Sequence, residues 1–345
     1  MTRKHLFIAL ATLGAIALSF YAWGQYTQKN PKREHPMTPL TKNMKTVCLG
    51  RYLVDMPAQA EFSLGSAEID DIKIEHVGPA PSEGVFRDKV KRREADLRFT
   101  KHDTEGTRLR EAVDINDGTQ RLLVYRDDNS DTFLAWVEAA VWSNHEEWLI
   151  NFDAANESVP NIRVQVTNIA AHLQEKNMQD IPNTPGFCIA NGLVTGGSHE
   201  SENLTGGIHM ESPDFSITIK SETSGPRERG NTLWDRTERA EKDVNEIYGI
   251  KLPIGVVRRA EVKVDGRKGQ EYVTITSDKG FEVFNAKAEI YGDATPKKPT
   301  FKIEMDAAWL KKSGKDQKQG MLSREEALAI WDAVLKSIHP RPGTF

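Results

Sequence analysis

The sequence predicts an α+β fold of two related modules, each an antiparallel sheet with helices on one face. Three observations carry it. The two cysteines of the 345-residue chain, Cys48 and Cys188, each enter an apolar run behind a Pro-bearing connector, in TVCLGRYLVDMP and TPGFCIANGLV. A charged helical segment follows each, FRDKVKRREADLRF and TLWDRTERAEKDVNEIY. Two hairpin patterns then turn at Asp-Gly, at Asp117–Gly118 and Asp265–Gly266, where glycine relieves the cost of positive φ. Landmarks recurring in one order at a slowly growing offset are what a duplicated module with loop insertions produces.

The elements follow in chain order. Arg3 and Lys4 precede an apolar run from Leu6 to Trp23, and no charged residue returns until Lys29. This is an export segment, either a cleaved leader ending near residue 24 or a retained membrane anchor with the rest of the chain outside the cytoplasm. Residues 25–45, with Pro31, Pro36 and Pro39 among Lys, Asn and Thr, read as a solvated tether. The first module is expected over residues 46–180 and the second over 181–345, with the connector at 176–186 as a hinge.

Within the modules, Phe215, Ile217 and Ile219 alternate with Ser216, Thr218 and Lys220, the period of a half-buried strand. Leu233, Thr237, Ala240, Val244 and Ile247 fall on one helical face. The closing helix begins with Ser323 and carries Glu326 three residues on, a capping box, and ends before Pro340. A helix after the second strand of a module and another at its end give a sheet covered on one face.

Composition narrows the function. With 38% hydrophobic and 28% charged residues the chain has an ordinary core, and a net charge of −4 offers no basic footprint for nucleic acid. There is no G-x-S-x-G, no H-E-x-x-H and no Gly-rich phosphate loop, and no catalytic, metal or cofactor residue is assigned. Asp127, Asn129, Asp131 and Glu138 mimic calcium-loop spacing, but Thr132 stands where glycine is required, so DDNSD reads as a hairpin tip. The basic cluster Arg87, Lys89, Lys91, Arg92 and Arg93 reads as a solvated helix face, and the run Lys311 to Gly320 as a loop. Trp142 and Trp148 flank a polar turn and read as core lids. In an oxidising compartment two cysteines allow one pairing, Cys48–Cys188; two separately buried thiols are the alternative.

CLGRYLVDMP (Cys48 to Pro57), PGFC (Pro185 to Cys188), LSREEALAIWDAVLKSI (Leu322 to Ile338) and the ending RPG resemble the immunity proteins that neutralise lipase effectors of the bacterial type VI secretion system. The resemblance runs from about Thr46 to the C-terminus. It implies a periplasmic antitoxin, not an enzyme, whose two α+β domains form a claw that grips a phospholipase and keeps its lid from opening. The partner is then the cognate lipase effector, with membrane contact only through residues 6–23 if the leader is retained. The candidate contacts are the acidic tip Asp127, Asp128 and Asp131, the turn with Asn144, His145 and Glu146, and the loop with Ser198, Glu200 and Glu202. The other readings are a cell-envelope hydrolase or ligand-binding protein with a site in the inter-module cleft, for which Ser198, His199 and Glu200 are the available residues, and an envelope scaffold.

Overall fold

The computed structural model describes residues 37–225, 228, 230–248, 254–278, 281–310 and 321–345. The segment read as an export signal, most of the expected tether and the basic run at 311–320 lie outside the described residues. The first half of the chain contains α1 (Pro39–Lys42), β1 (Met44–Leu49), β2 (Tyr52–Pro57), β3 (Glu61–Ile69), β4 (Ile72–Pro79), α2 (Glu83–Phe99), β5 (Lys101–His102), β6 (Gly106–Thr107), β7 (Leu109–Asp114), β8 (Gln120–Tyr125), β9 (Leu134–Ser143), β10 (Glu146–Ala155), α3 (Val159–His172) and β11 (Leu173–Glu175). The second half contains β12 (Gly186–Ile189), β13 (Gly192–Thr195), β14 (Glu202–Glu211), β15 (Asp214–Glu222), α4 (Leu233–Tyr248), β16 (Ile254–Val264), β17 (Arg267–Asp278), β18 (Phe281–Ile290), β19 (Thr300–Leu310), α5 (Arg324–Ser337) and β20 (His339–Pro340).

Apart from α1 and the small β5–β6 ribbon, each half reads hairpin, hairpin, helix, hairpin, hairpin, helix, short strand. The duplication in the sequence is thus a duplication of structure. Local signals place the elements. Both Asp-Gly turns have positive φ at both residues, 43° and 81° at Asp117–Gly118 and 49° and 75° at Asp265–Gly266. Ser82 caps α2, and the Ser323–Glu326 capping box closes around the start of α5.

Three features differ from the sequence expectation. First, the helix follows the second hairpin of each module, because the opening hairpins (β1–β2 and β12–β13) are so apolar that each reads as one run. Second, the two sheets are one. A twelve-stranded antiparallel sheet runs β16-β17-β18-β19-β15-β14-β3-β4-β10-β9-β8-β7, its halves mirrored about the β14–β3 seam, where Leu204 faces Ala67 and Ile208 faces Phe62. Third, the helices of a module lie on opposite faces. Arg121, Ala140, Leu149, Glu75, Lys73, Glu68, Asn203, Glu222 and Lys220 share one side of the sheet through successive paired positions, and the same side continues to Lys287 and Tyr272. α2 and α4 sit on that side and α3 and α5 on the other, since Glu94 of α2 bonds Arg121 whereas Gln120 bonds the Ala170 carbonyl of α3. Each module buries both faces at its outer end, so it needs a helix on each.

α4 also docks differently from its apolar stripe. Leu233 is buried, but Ala240 and Ile247 are exposed, and the side chain of Val244 lies outside the described residues. Polar anchors hold the helix instead: Trp234 Nε1 donates to the Glu271 carbonyl at 3.0 Å, Arg236 pairs with Glu289 at 2.7 Å, and Glu241 meets the Tyr272 hydroxyl.

One hydrophobic core serves both halves, running from Val137 and Trp148 through Leu49 and Ile208 to Phe284 and Trp331, with Trp148 fully buried and Trp142 half-buried beside Phe86. The halves exchange their terminal strands: β11 of the first pairs with β13 of the second, and β20 of the second pairs with β2 of the first. The opening hairpins meet through reciprocal backbone bonds between Gly50 and Cys188, and Cys48 and Cys188 form the disulfide, with Cα atoms 6.1 Å apart. The paired-cysteine reading is therefore correct. The connector at 176–186 is no free hinge, because the seam, the exchanged strands and the disulfide all cross it.

Candidate functional site

Because α2 and α4 stand over opposite ends of the same sheet face, no helix among the described residues covers the strands between them on that side. The result is a saddle with one wall from each module and a floor from β4, β3, β14, β15 and β19. Strand alternation makes the floor polar: Ser63 and Glu68, Asn203 and Thr205, Ser216, Thr218 and Lys220, Glu304 and Asp306 point to this face, opposite the buried Ala67, Leu204, Ile217 and Ile303.

The floor charges are largely paired. Glu222 takes Lys302 and, at 3.5 Å, Lys220; Lys287 lies 3.4 Å from Glu304; Asn285 donates to Asp306 at 2.6 Å. Partial burial pushes the Glu222 carboxyl up, but the two lysines outweigh it and hold the group below the usual carboxylate range. Glu61 and Glu68 are exposed with no cationic partner among the described residues, Glu68 accepting only from Asn203 at 3.3 Å. At the seam the floor deepens into a cavity of about 410 Å³ edged by Ser66, Glu68, Thr205 and Glu222. The walls are fixed by their own ion pairs. Lys89 of α2 reaches Glu147 at 2.8 Å, and Arg93 reaches the Tyr125 hydroxyl at 3.0 Å. Burial and the neighbouring Glu138 push the Tyr125 phenol well above its ordinary value, so it remains a donor to Glu138 at 2.8 Å. On the other wall Arg259 stacks 5.1 Å from the ring centroid of Trp234.

The loops singled out in the sequence lie elsewhere and apart from one another. Asp127, Asp128 and Asp131 occupy the β8–β9 loop at the distal end of the first half, where Asp128 accepts from the Ser130 amide and hydroxyl, which hold its carboxyl below the usual range. Asn144 and His145 form the β9–β10 turn with φ of 45° and 75°, and bond Glu175 and the Pro81 carbonyl. Glu146 lies 2.6 Å from His76. Ser198 and Glu200 lie in the β13–β14 loop. There His199 Nδ1 is 3.2 Å from Asp70, and no hydrogen bond joins Ser198 to an imidazole among the described residues. Glu202 is not on the surface at all: at 3% exposed, it forms a bidentate pair with Arg51, so its role is to hold the loop.

Sequence reasoning missed the saddle floor. Its signal was the polar half of an alternation read for its apolar half, Ser216, Thr218 and Lys220 against Phe215, Ile217 and Ile219.

Comparison with known proteins covers nearly the whole described chain. Residues 45–184 match the family model of the Tle cognate immunity protein 4 N-terminal domain, and residues 180–343 match that of its C-terminal domain. Among solved structures, a chain in the crystal structure of the Tle4–Tli4 complex matches with TM-score 0.74 at 22% identity, over 88% of this chain and 99% of that one. The apo structure of the immunity protein TplEi of the type VI secretion system from Pseudomonas aeruginosa matches with TM-score 0.72 at 21% identity, over 87% and 97% of the two chains. The same protein complexed with an "L" peptide gives 0.68 at 20% identity, over 88% and 99%. No curated protein matches significantly. The structural likenesses fix the fold and the two domain matches fix the kinship: the chain belongs to the Tle cognate immunity protein 4 family, immunity proteins against lipase effectors of the type VI secretion system.

Proposed function

We propose that the protein acts in the periplasm as a stoichiometric inhibitor of its cognate lipase effector, seating the effector's lid region in the saddle between α2 and α4. The observation that carries this reading is the stretch of sheet bounded by one helix from each half and covered on that face by no helix among the described residues. A tight complex needs roughly 1,200–2,000 Å² of interface, and a floor of five strands with two walls offers contact from three sides. Glu61 and Glu68, lacking cationic partners among the described residues, suit a basic lid segment and steer its approach. The disulfide fits an oxidising compartment, and the apolar run at Leu6 to Trp23 supplies export. The acidic tip Asp127, Asp128 and Asp131, the turn at Asn144 and His145 and the loop at Ser198 and Glu200 serve as peripheral contacts.

Periplasmic co-expression with the cognate lipase tests the reading. Wild-type protein protects. The double charge reversal Glu68→Lys with Glu304→Lys, on exposed positions that leave the core untouched, weakens binding at least tenfold and restores toxicity. If that variant protects and binds as the wild type does, the grip is not in the saddle. Loss on Asp127→Lys with Asp128→Lys would then place it at the distal tip.

A further inference from the structure

A cavity of about 750 Å³ lies along the side of α2 that faces away from the saddle, between this helix and the β7–β8 hairpin at the edge of the sheet. The helix periodicity creates it. Lys89 and Arg93 lean toward the interior strands and are bound there by Glu147 and Tyr125, whereas Arg87, Lys91, Glu94 and Arg98 follow one another along the edge side. The floor is apolar, from Phe86, Val90, Ala95 and Ile115, and Phe99 stands 84% exposed at the far end of the helix.

One cation of the groove is left without a partner among the described residues. Arg98 and Arg121 both bond Glu94 at 2.7 Å, and Arg121 also reaches Asp114 at 3.1 Å. Arg87 is fixed by Glu83 and by the Asp117 carbonyl at 2.7 Å. Lys91 has neither a hydrogen bond nor an ion pair among the described residues, although it lines the same cavity. Of the four lining cations, Arg98 and Arg121 are thus paired with Glu94, Arg87 with Glu83 just outside the lining, and Lys91 alone is without a partner among the described residues.

We propose that this groove binds a single-chain amphiphile with one negative charge, a long-chain fatty acid, with its alkyl chain along Phe86, Val90, Ala95 and Ile115 and its carboxylate at Lys91 Nζ. The volume lies within the range of about 300–1,000 Å³ usual for small-molecule sites. Apolar floor and lone ammonium divide the groove as the ligand divides itself. A dianionic phosphate would find only one unpartnered cation, and a wholly polar acidic ligand would leave the floor wet. The site does not depend on effector binding, since the groove and the saddle lie on opposite sides of α2.

The test is isothermal titration of the full-length folded protein with oleate below its aggregation concentration. Saturable one-to-one binding is expected, with 1-monooleoylglycerol, which has the same chain and no charge, binding about two- to fivefold more weakly. Lys91→Glu weakens oleate by a similar or larger factor and leaves monooleoylglycerol unchanged. Ala95→Trp, which fills the floor, weakens both by more than tenfold while the melting temperature holds. Absence of oleate binding, or equal affinity in wild type and both variants, overturns the proposal. Equal binding of the charged and neutral ligands overturns the assignment of the carboxylate to Lys91.

Discussion

Replacing Glu202 by Gln tests whether the Arg51–Glu202 pair holds the two halves of the molecule together. Arg51 lies in the tight turn of the first opening hairpin and Glu202 at the start of β14, in the second half. Nε donates to both carboxylate oxygens at 2.9 and 2.7 Å and one terminal nitrogen donates at 2.6 Å, with side chains 1% and 3% exposed. The same guanidinium donates to the carbonyls of Gly197 at 2.6 Å and Thr344 at 2.8 Å, so it also fixes the β13–β14 loop and the C-terminal tail. The amide is nearly isosteric, so Glu202→Gln removes the charge without opening a cavity and leaves a buried guanidinium uncompensated. Breaking such a pair from one side costs about 3–5 kcal/mol, in line with about 4 kcal/mol for unit charges 4 Å apart at an effective dielectric of 20. With unfolding entropy near 2.1 cal/mol/K per residue over roughly 300 residues, the melting temperature falls by about 5–8 °C. Calorimetry and urea unfolding read this directly. The double variant Arg51→Met with Glu202→Leu recovers only part of the loss, because the Gly197 and Thr344 carbonyls then lose their donor. A loss below about 1 kcal/mol in Glu202→Gln would refute the structural role.

Other outcomes follow from the same joint. Cys48→Ser with Cys188→Ser loses up to about 5 kcal/mol in the chain-entropy model for so long a loop, yet the variant still folds because the seam and the exchanged strands remain; a chain that fails to fold under non-reducing conditions would contradict this. Gly50 has φ of 61°, and a Cβ there would lie 2.8 Å from the Phe187 ring. Gly50→Ala therefore costs about 2 kcal/mol or more, measured by urea unfolding, and an unchanged midpoint would mean the turn relaxes freely. Burial, with help from Arg341 and against Asp180 and Glu175, lowers the Lys176 ammonium from its ordinary 10.5 to about 8. Between about pH 8 and 10.5 the unfolded chain keeps a proton that the native chain has released, so the contribution of Lys176 to stability rises with pH across that window. Lys176→Met flattens the rise, and an identical pH profile in the variant would show that the group is not shifted.

The sequence was legible where the physics is local. Ser323 and Glu326 sit three residues apart and announce α5, and Asp117–Gly118 announces a hairpin whichever strands lie beside it. The repeated cysteine-led hairpins were visible as well, because their apolar spacing is a property of a few consecutive residues. What stayed hidden is long-range pairing. Nothing in EFSLGSAEI says that it pairs with β14 rather than remaining a module edge, and nothing in HPRPG says that β20 completes the opposite module's hairpin. Arg341 shows the limit well. It is 2% exposed and donates to the carbonyls of Pro182, Thr184 and Gly186, a partner set some 155 residues away whose members carry no distinguishing side chain. An acceptor made of backbone leaves no mark in a sequence. The saddle was missed for a related reason: a polar strand face reads as ordinary solvation until the helices flanking it are known to stand on the same side.

The continuous sheet changes how an inhibitor of this shape has to work. Two modules on a hinge would close around a ligand and lose conformational entropy on doing so, which subtracts from affinity. Here the seam, the two exchanged strands, the Gly50–Cys188 bridge and the disulfide all cross the joint, so the distance between α2 and α4 is set before any partner arrives. A partner that fits the saddle meets a preorganised surface, and its association rate is governed by charge steering and orientation rather than by closure. In that case, reducing the disulfide should alter the stability of the inhibitor far more than its association rate. A large fall in that rate on reduction would show instead that the joint opens and that the saddle is formed only on demand.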